Sequence, residues 1–140
     1  MTPINPFHLA IPVTQLEKNR IFYRDILGCE EGRSSDHWVD FNFFGHQLVI
    51  HLSEDTKANE QGNPVDGHNV PVPHFGVVLS LDDFEAFAKK LKLANVVFII
   101  EPYTRFKGLT GEQSTMFLKD PSGNALEFKA FKNIDQLFAK

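Results

Sequence analysis

Two stretches of this sequence repeat one pattern at a fixed offset, and that offset limits the folds open to the chain. "FHLAIPVTQLEKNRIFYRDILG" begins at Phe7 and "PHFGVVLSLDDFEAFAKKLKLAN" at Pro73. His8 and His74 lie 66 positions apart, and so do Thr14 and Ser80. Each stretch reads as a strand leading into a capped amphipathic helix. In the first, Thr14 and Glu17 have capping-box spacing ahead of Leu16, Phe22, Tyr23, Ile26 and Leu27, and Gly28 stops the helix. In the second, Ser80 and Asp83 precede Phe84, Phe87 and Leu91, with Asn95 as the stop. A register held without a gap points to one supersecondary unit used twice.

Three strand-like runs follow each helix: 30–33, 38–43 and 47–52 in the first half, then 96–100, 115–118 and 125–130 in the second. The expected fold class is therefore α+β, built from two tandem βαβββ modules. Residues 7–53 form the first module, 54–72 a connector, 73–131 the second module and 132–140 a C-terminal tail, all within a single domain over 1–140. With 42% apolar and 23% charged residues, 140 residues can support one core of ordinary globular composition. The connector is rich in Gly, Pro, Asn and charge and reads as exposed, with a lid over a site as its functional alternative. In the tail, Ile134, Leu137 and Phe138 have helical spacing and are expected to dock on the sheet or on a partner subunit.

Charge and composition exclude several roles. A net charge of -4, with 14 Lys and Arg scattered along the chain, disfavours a nucleic-acid partner. No apolar run approaches the roughly 20 residues of a membrane span, and the first residues lack the basic start of a secretory signal, so a cytoplasmic protein without a membrane partner is expected. The single cysteine, Cys29, reads as a buried apolar filler.

Strand alternation then singles out three residues. Phe7, Leu9 and Ile11 flank His8 and Ala10; Phe75, Val77 and Leu79 share the parity opposite His74; Leu126 and Phe128 flank Glu127. The apolar sets are expected beneath the helices, which leaves His8, His74 and Glu127 on the other face beside the small Ala10, Gly76 and Ala125. For any one of them, the solvent side of a sheet is an adequate explanation. Two imidazoles and a carboxylate from separate strands are also the donor set of a facial triad for a divalent ion, as in non-haem Fe(II) oxygenases. A bound ion would offset the cost of holding Glu127 in a partly enclosed place.

"FHLAIPV", "LGCEEGR", "FNFFGHQLVIHL", "PHFGVVLS" and "DPSGNALEFKAF" together resemble the vicinal oxygen chelate superfamily of glyoxalase I, extradiol dioxygenases, fosfomycin-resistance transferases and bleomycin-resistance proteins. "DFNFFGHQLVIHL", "NPVDGHNVPVPHFGVVL" and "PYTRFKG" are most similar to a bacterial group of extradiol-dioxygenase type. The resemblance implies paired modules curled into an incomplete barrel around a metal held by His8, His74 and Glu127. It also implies a small-molecule substrate and a homodimer. Aligning Gly45 with Gly123 sets Val49 opposite Glu127, which disfavours the four-ligand glyoxalase I arrangement. Fe(II) is the favoured ion, with Mn(II), Zn(II) and Ni(II) as alternatives. Where well-studied extradiol enzymes carry a tyrosine ten residues before the glutamate, this chain has Phe117. His51, on the same face by parity, is the candidate for proton transfer, with a packed structural histidine as its alternative. Tyr103, Arg105 and Lys107 alternate in "PYTRFKG" and are candidates for binding an anionic substrate, against the alternative of a solvated loop. The function expected is an extradiol-type dioxygenase acting on a small catechol-like compound. A glyoxalase- or fosfomycin-transferase-type metalloenzyme and a bleomycin-resistance-like binding protein are the alternatives.

Overall fold

The duplication becomes two four-stranded sheets with the same strand order. The structure is a computed structural model that describes residues 3–54 and 62–140. The first half contains β1 (His8–Val13), α1 (Leu16–Ile21) continuing into a π-helical turn (Phe22–Ile26), β2 (Glu30–Ser34), β3 (Trp38–Phe43) and β4 (His46–Leu52). The second contains a hairpin of β5 (Gly62–Val65) and β6 (His68–Pro71), then β7 (Val78–Leu79), α2 (Leu81–Leu93), β8 (Phe98–Arg105), β9 (Gln113–Lys119) and β10 (Ala125–Phe131). The sheets run β1-β4-β3-β2 and β7-β10-β9-β8, each with its first strand parallel to its last and the other pairs antiparallel. The expected α+β fold of two βαβββ modules is what forms. The chain divides into two compact units, Met1–Ala58 with Asp120–Asn124, and Asn59–Lys119 with Ala125–Lys140.

In the first unit the core gathers Val13, Tyr23, Val39, Leu48 and Ile50, all with at most 1% exposure, and Cys29 is buried as a filler. Tyr23 donates its hydroxyl to Asp120 Oδ2 at 2.7 Å, while Asp120 Oδ1 accepts the backbone N–H groups of Ser122 and Asn124. The expected capping box does not form. Gln15 occupies the N-cap without a side-chain bond, and Thr14 is drawn instead to Ser122, whose Oγ accepts from the Thr14 N–H at 2.9 Å and from Asn19 Nδ2. A tertiary partner thus displaces a local one. Phe7, expected beneath a helix, is 65% exposed, and the buried side of β1 begins only at Ile11.

The second unit follows its local signals more closely. Ser80 Oγ accepts from the Asp83 N–H at 3.1 Å, and Asn95 takes the left-handed conformation (φ 59°) that ends α2. α2 buries Phe84, Ala88 and Leu91, and Phe87 meets Phe128 of β10 edge-on at 4.9 Å. Burying each large apolar side chain contributes about 1.5–3 kcal/mol. Within the segment expected to be an aperiodic connector, Asp66 and Gly67 both have positive φ and turn β5 back onto β6. Residues 55–61 of that segment lie outside the described residues. In the tail, Asn133 caps a single 3-10 turn over Ile134–Gln136, Gln136 Oε1 accepts from the Gly111 N–H at 2.7 Å, and Ile134 and Phe138 are exposed. No described helix is long and apolar enough to cross a membrane.

Candidate metal site

Glu127 stands where alternation put it. Leu126 and Phe128 are fully buried, while Glu127 is half-buried on the opposite face, across from Phe117 of β9. His74 Nε2 lies 3.3 Å from Glu127 Oε1. Each member of the pair is held from behind. His74 Nδ1 sits 2.6 Å from the Pro71 carbonyl oxygen, which can only accept, so Nδ1 carries the hydrogen and Nε2 keeps its lone pair in the neutral ring. Thr115 Oγ1 donates to Glu127 Oε2. The His74 ring also packs edge-on against Phe117 at 5.0 Å, so this phenylalanine serves as an apolar wall to the pair.

Electrostatics couple the two groups. In the imidazolium form Nε2–H donates to Glu127, and that hydrogen bond raises the His74 pKa above its ordinary value, against the opposing effect of burial. For Glu127, burial acts to raise the pKa, but the hydrogen bonds from His74 and Thr115, with Lys129 nearby, hold it below the usual carboxylate range. Gly76 has a different role from the one its size suggests. A Cβ there would lie 1.5 Å from the Glu127 carbonyl oxygen, so the missing side chain makes room for the β10 backbone rather than for a ligand.

In the first unit, His8 opens β1 and is exposed, with Nδ1 2.7 Å from Gln47 Oε1. An amide oxygen also only accepts, so His8 matches His74 in having Nδ1 committed and Nε2 available. Among the described residues no group of three or more His, Cys, Asp or Glu gathers that could hold a metal. Within the second unit the structure brings two of the expected ligands together, His74 and Glu127. Val49 is buried on β4 and offers no donor. His51 is exposed on the same strand, opposite Trp38.

β8 runs from Phe98 to Arg105, so it starts two residues later than the expected 96–100 and takes in Tyr103 and Arg105, whose alternative reading was a solvated loop. Asp66, at the hairpin turn, takes a hydrogen bond from the Tyr103 hydroxyl at 3.1 Å and pairs with Arg105 Nε. His68 packs 5.1 Å from the Tyr103 ring. Lys107 lies past the strand end and is exposed. Sequence reasoning missed Asp66 and His68; the Asp-Gly dipeptide at 66–67 was the available signal for a hairpin.

A family model described as the glyoxalase/bleomycin resistance protein/dioxygenase superfamily matches residues 6–128. The chain belongs to this superfamily. A glyoxalase/bleomycin resistance protein/dioxygenase from Alicyclobacillus acidocaldarius is 34% identical, with a TM-score of 0.81 over 97% of this chain and 98% of that one. Two more distant structures share the fold. A lactoylglutathione lyase from Agrobacterium tumefaciens is 18% identical (TM-score 0.68, all of both chains), and a genomically encoded fosfomycin resistance protein from Listeria monocytogenes is 16% identical (TM-score 0.65, 96% and 98%). No curated protein matches the chain. Glyoxalase superfamily members typically bind divalent metals and small molecules, and they often form oligomers. The His74–Glu127 pair fits such an ion. Two donors bound side by side at about 2.1 Å from one metal lie about 3 Å apart, close to the observed separation. The imidazole whose other nitrogen donates to a carbonyl is also the usual form of a metal-binding histidine.

Proposed function

We propose that this protein is a homodimeric, cytoplasmic metalloenzyme of the superfamily that acts as an extradiol-type dioxygenase on a small catechol-like compound, with Fe(II) as its ion. The observation that carries the reading is the pair of donors already held at ligand spacing, each with its second polar atom committed elsewhere. When bound, the ion supplies Lewis-acid activation and orientation of a ligand with two adjacent oxygens. Glu127 offsets part of its charge, and Thr115 fixes the carboxylate plane. Pro71 fixes the His74 tautomer, and Phe117 keeps one side of the imidazole dry without offering a proton.

The third ligand, His8, and the proton-transfer residue, His51, belong to the first unit, and their assignment rests on sequence parity and the resemblance. Tyr103, Arg105 and Lys107 are assigned to substrate, with Asp66 holding the first two in place. The direct test is oxygen uptake after anaerobic Fe(II) loading, over a panel of substituted catechols. Uptake on at least one, lost in Glu127→Ala and His8→Ala, is the expected result; no uptake across the panel removes the dioxygenase assignment.

One observation favours a second reading. Phe117 supplies no phenol beside the pair, which suits a fosfomycin-transferase- or glyoxalase-type metalloenzyme better than ring cleavage. Thiol-dependent consumption of an epoxide by Mn(II)-loaded protein, without oxygen uptake, would establish that reading. Ligand binding that is indifferent to metal would instead support a bleomycin-resistance-like binding protein.

A further inference from the structure

The face that carries Glu127 also carries a cation that the proposed reaction leaves unused. Phe117 pairs across the sheet with Glu127, and in the next row of the same face Thr115 lies between Tyr103 and Lys129. Lys129 is thus two residues along β10 from Glu127, a rise of about 6.8 Å. It is half-buried, and its ammonium lies 5.9 Å from the Phe131 ring centroid. Among the described residues no carboxylate comes within ion-pair distance of it. The acidic partners there go to Arg20, Arg24, His74 and Arg105.

Charge accounting then distinguishes the two basic residues of this face. Arg105 is matched by Asp66, so it offers a substrate hydrogen-bond donors without an uncompensated charge. Lys129 shares its face of β10 with Glu127, whose charge would be offset by a bound divalent ion. With the ion in place, Arg105 and Asp66 cancel, and the ion, Glu127 and Lys129 leave a net charge of plus two. A neutral diol that would be held by the ion with both hydroxyls ionised, its protons passed to solvent, carries two negative charges at one end only. Lys129 stands one strand step along β10 from Glu127, a rise of about the length of one aromatic ring.

We propose that Lys129 is a specificity residue that selects ligands carrying a carboxylate across the ring from two chelating oxygens, as in a dihydroxybenzoate, over the uncharged catechol. The inference rests on the metal reading of His74 and Glu127, so the test separates the two. Mn(II)-loaded full-length protein is titrated calorimetrically with catechol and with 3,4-dihydroxybenzoate, and Mn(II) affinity is measured separately, for wild type, Lys129→Gln and Lys129→Arg. The wild type should bind the acid at least about tenfold more tightly than catechol, an advantage that shrinks with added salt. Lys129→Gln should abolish that preference and leave Mn(II) affinity within about threefold, while Lys129→Arg retains the preference. Mn(II) binding with equal affinity for both ligands in the wild type, or an undiminished preference in Lys129→Gln, overturns this assignment alone. Absence of Mn(II) binding overturns the metal reading and this inference with it. Should Lys129→Gln fail to fold, the wild-type preference and its salt dependence decide the matter: a preference insensitive to salt overturns the assignment.

Discussion

Replacing Gly76 with alanine would test how the second unit holds His74 and Glu127, the proposed metal donors, in place. The added Cβ would sit 1.5 Å from the Glu127 carbonyl oxygen and 2.6 Å from its carbonyl carbon, both rigid backbone atoms. Real Cβ contacts stay beyond 3.0 Å, so the two segments must part by about 1.5 Å. Such a shift breaks the bond from the Glu127 N–H to the Phe75 carbonyl, now 2.8 Å, and strains those from Phe75 to Ala125 and from Lys129 to Val77, both 3.2 Å. At about 1 kcal/mol net for each bond, the loss comes to about 3 kcal/mol. The same shift moves Glu127 away from His74, so Mn(II) affinity should fall at least about tenfold. Gly45→Ala is the control. Gly45 has φ +90° and no atom within 4 Å of a built Cβ, so only conformational strain of about 1–2 kcal/mol applies, with metal affinity unchanged. Urea unfolding and Mn(II) titration of both variants supply the comparison. A Gly76→Ala protein no less stable than Gly45→Ala, with wild-type Mn(II) affinity, would refute the close-approach argument.

Burial, reinforced by Asp120, holds the Tyr23 pKa well above its ordinary value. A group whose pKa is raised on folding contributes stability that is complete below the unfolded-state pKa of about 10 and is lost as pH rises above it. Unfolding free energy should therefore fall above about pH 10, and Tyr23→Phe should reduce that fall while costing about 1–2 kcal/mol at pH 7 through the lost bond to Asp120. Asp66→Asn should change stability by less than about 1 kcal/mol, because its pairing with Arg105 is partly exposed. It should nonetheless speed hydrogen exchange of the β5–β6 amides, and exchange at the wild-type rate would show that the hairpin does not depend on this pairing.

The sequence made the second unit more legible than the first, for a physical reason. Ser80, Asn95 and the parity of Glu127 are local signals, satisfied by neighbours a few residues away, and the structure keeps all of them. Thr14 carried an equally clear local signal, but Ser122, more than a hundred residues on, supplied a competing partner that no local rule anticipates. Alternation placed Gly76 only as a small residue beside His74, because it gives the direction of a side chain and not what approaches it. The Phe75–Leu126 bridge brings in the β10 backbone. The hairpin around Asp66 was obscured by its composition: Pro, Asn and charge masked a two-residue turn whose strands are only four residues long. The pairing of Tyr103 and Arg105 with Asp66 followed from that same hairpin and was hidden with it.

The central claim is that His74 and Glu127 form a prepared ligand pair for a divalent ion. Its most direct test is equilibrium Mn(II) titration of chelator-stripped protein, read by calorimetry and by metal content after gel filtration, for the wild type, His74→Ala and Glu127→Ala. One ion per chain in the wild type, with at least about a hundredfold weaker binding in each folded variant, is the predicted result. Stoichiometric binding that survives both substitutions, or no binding by the wild type, would contradict it.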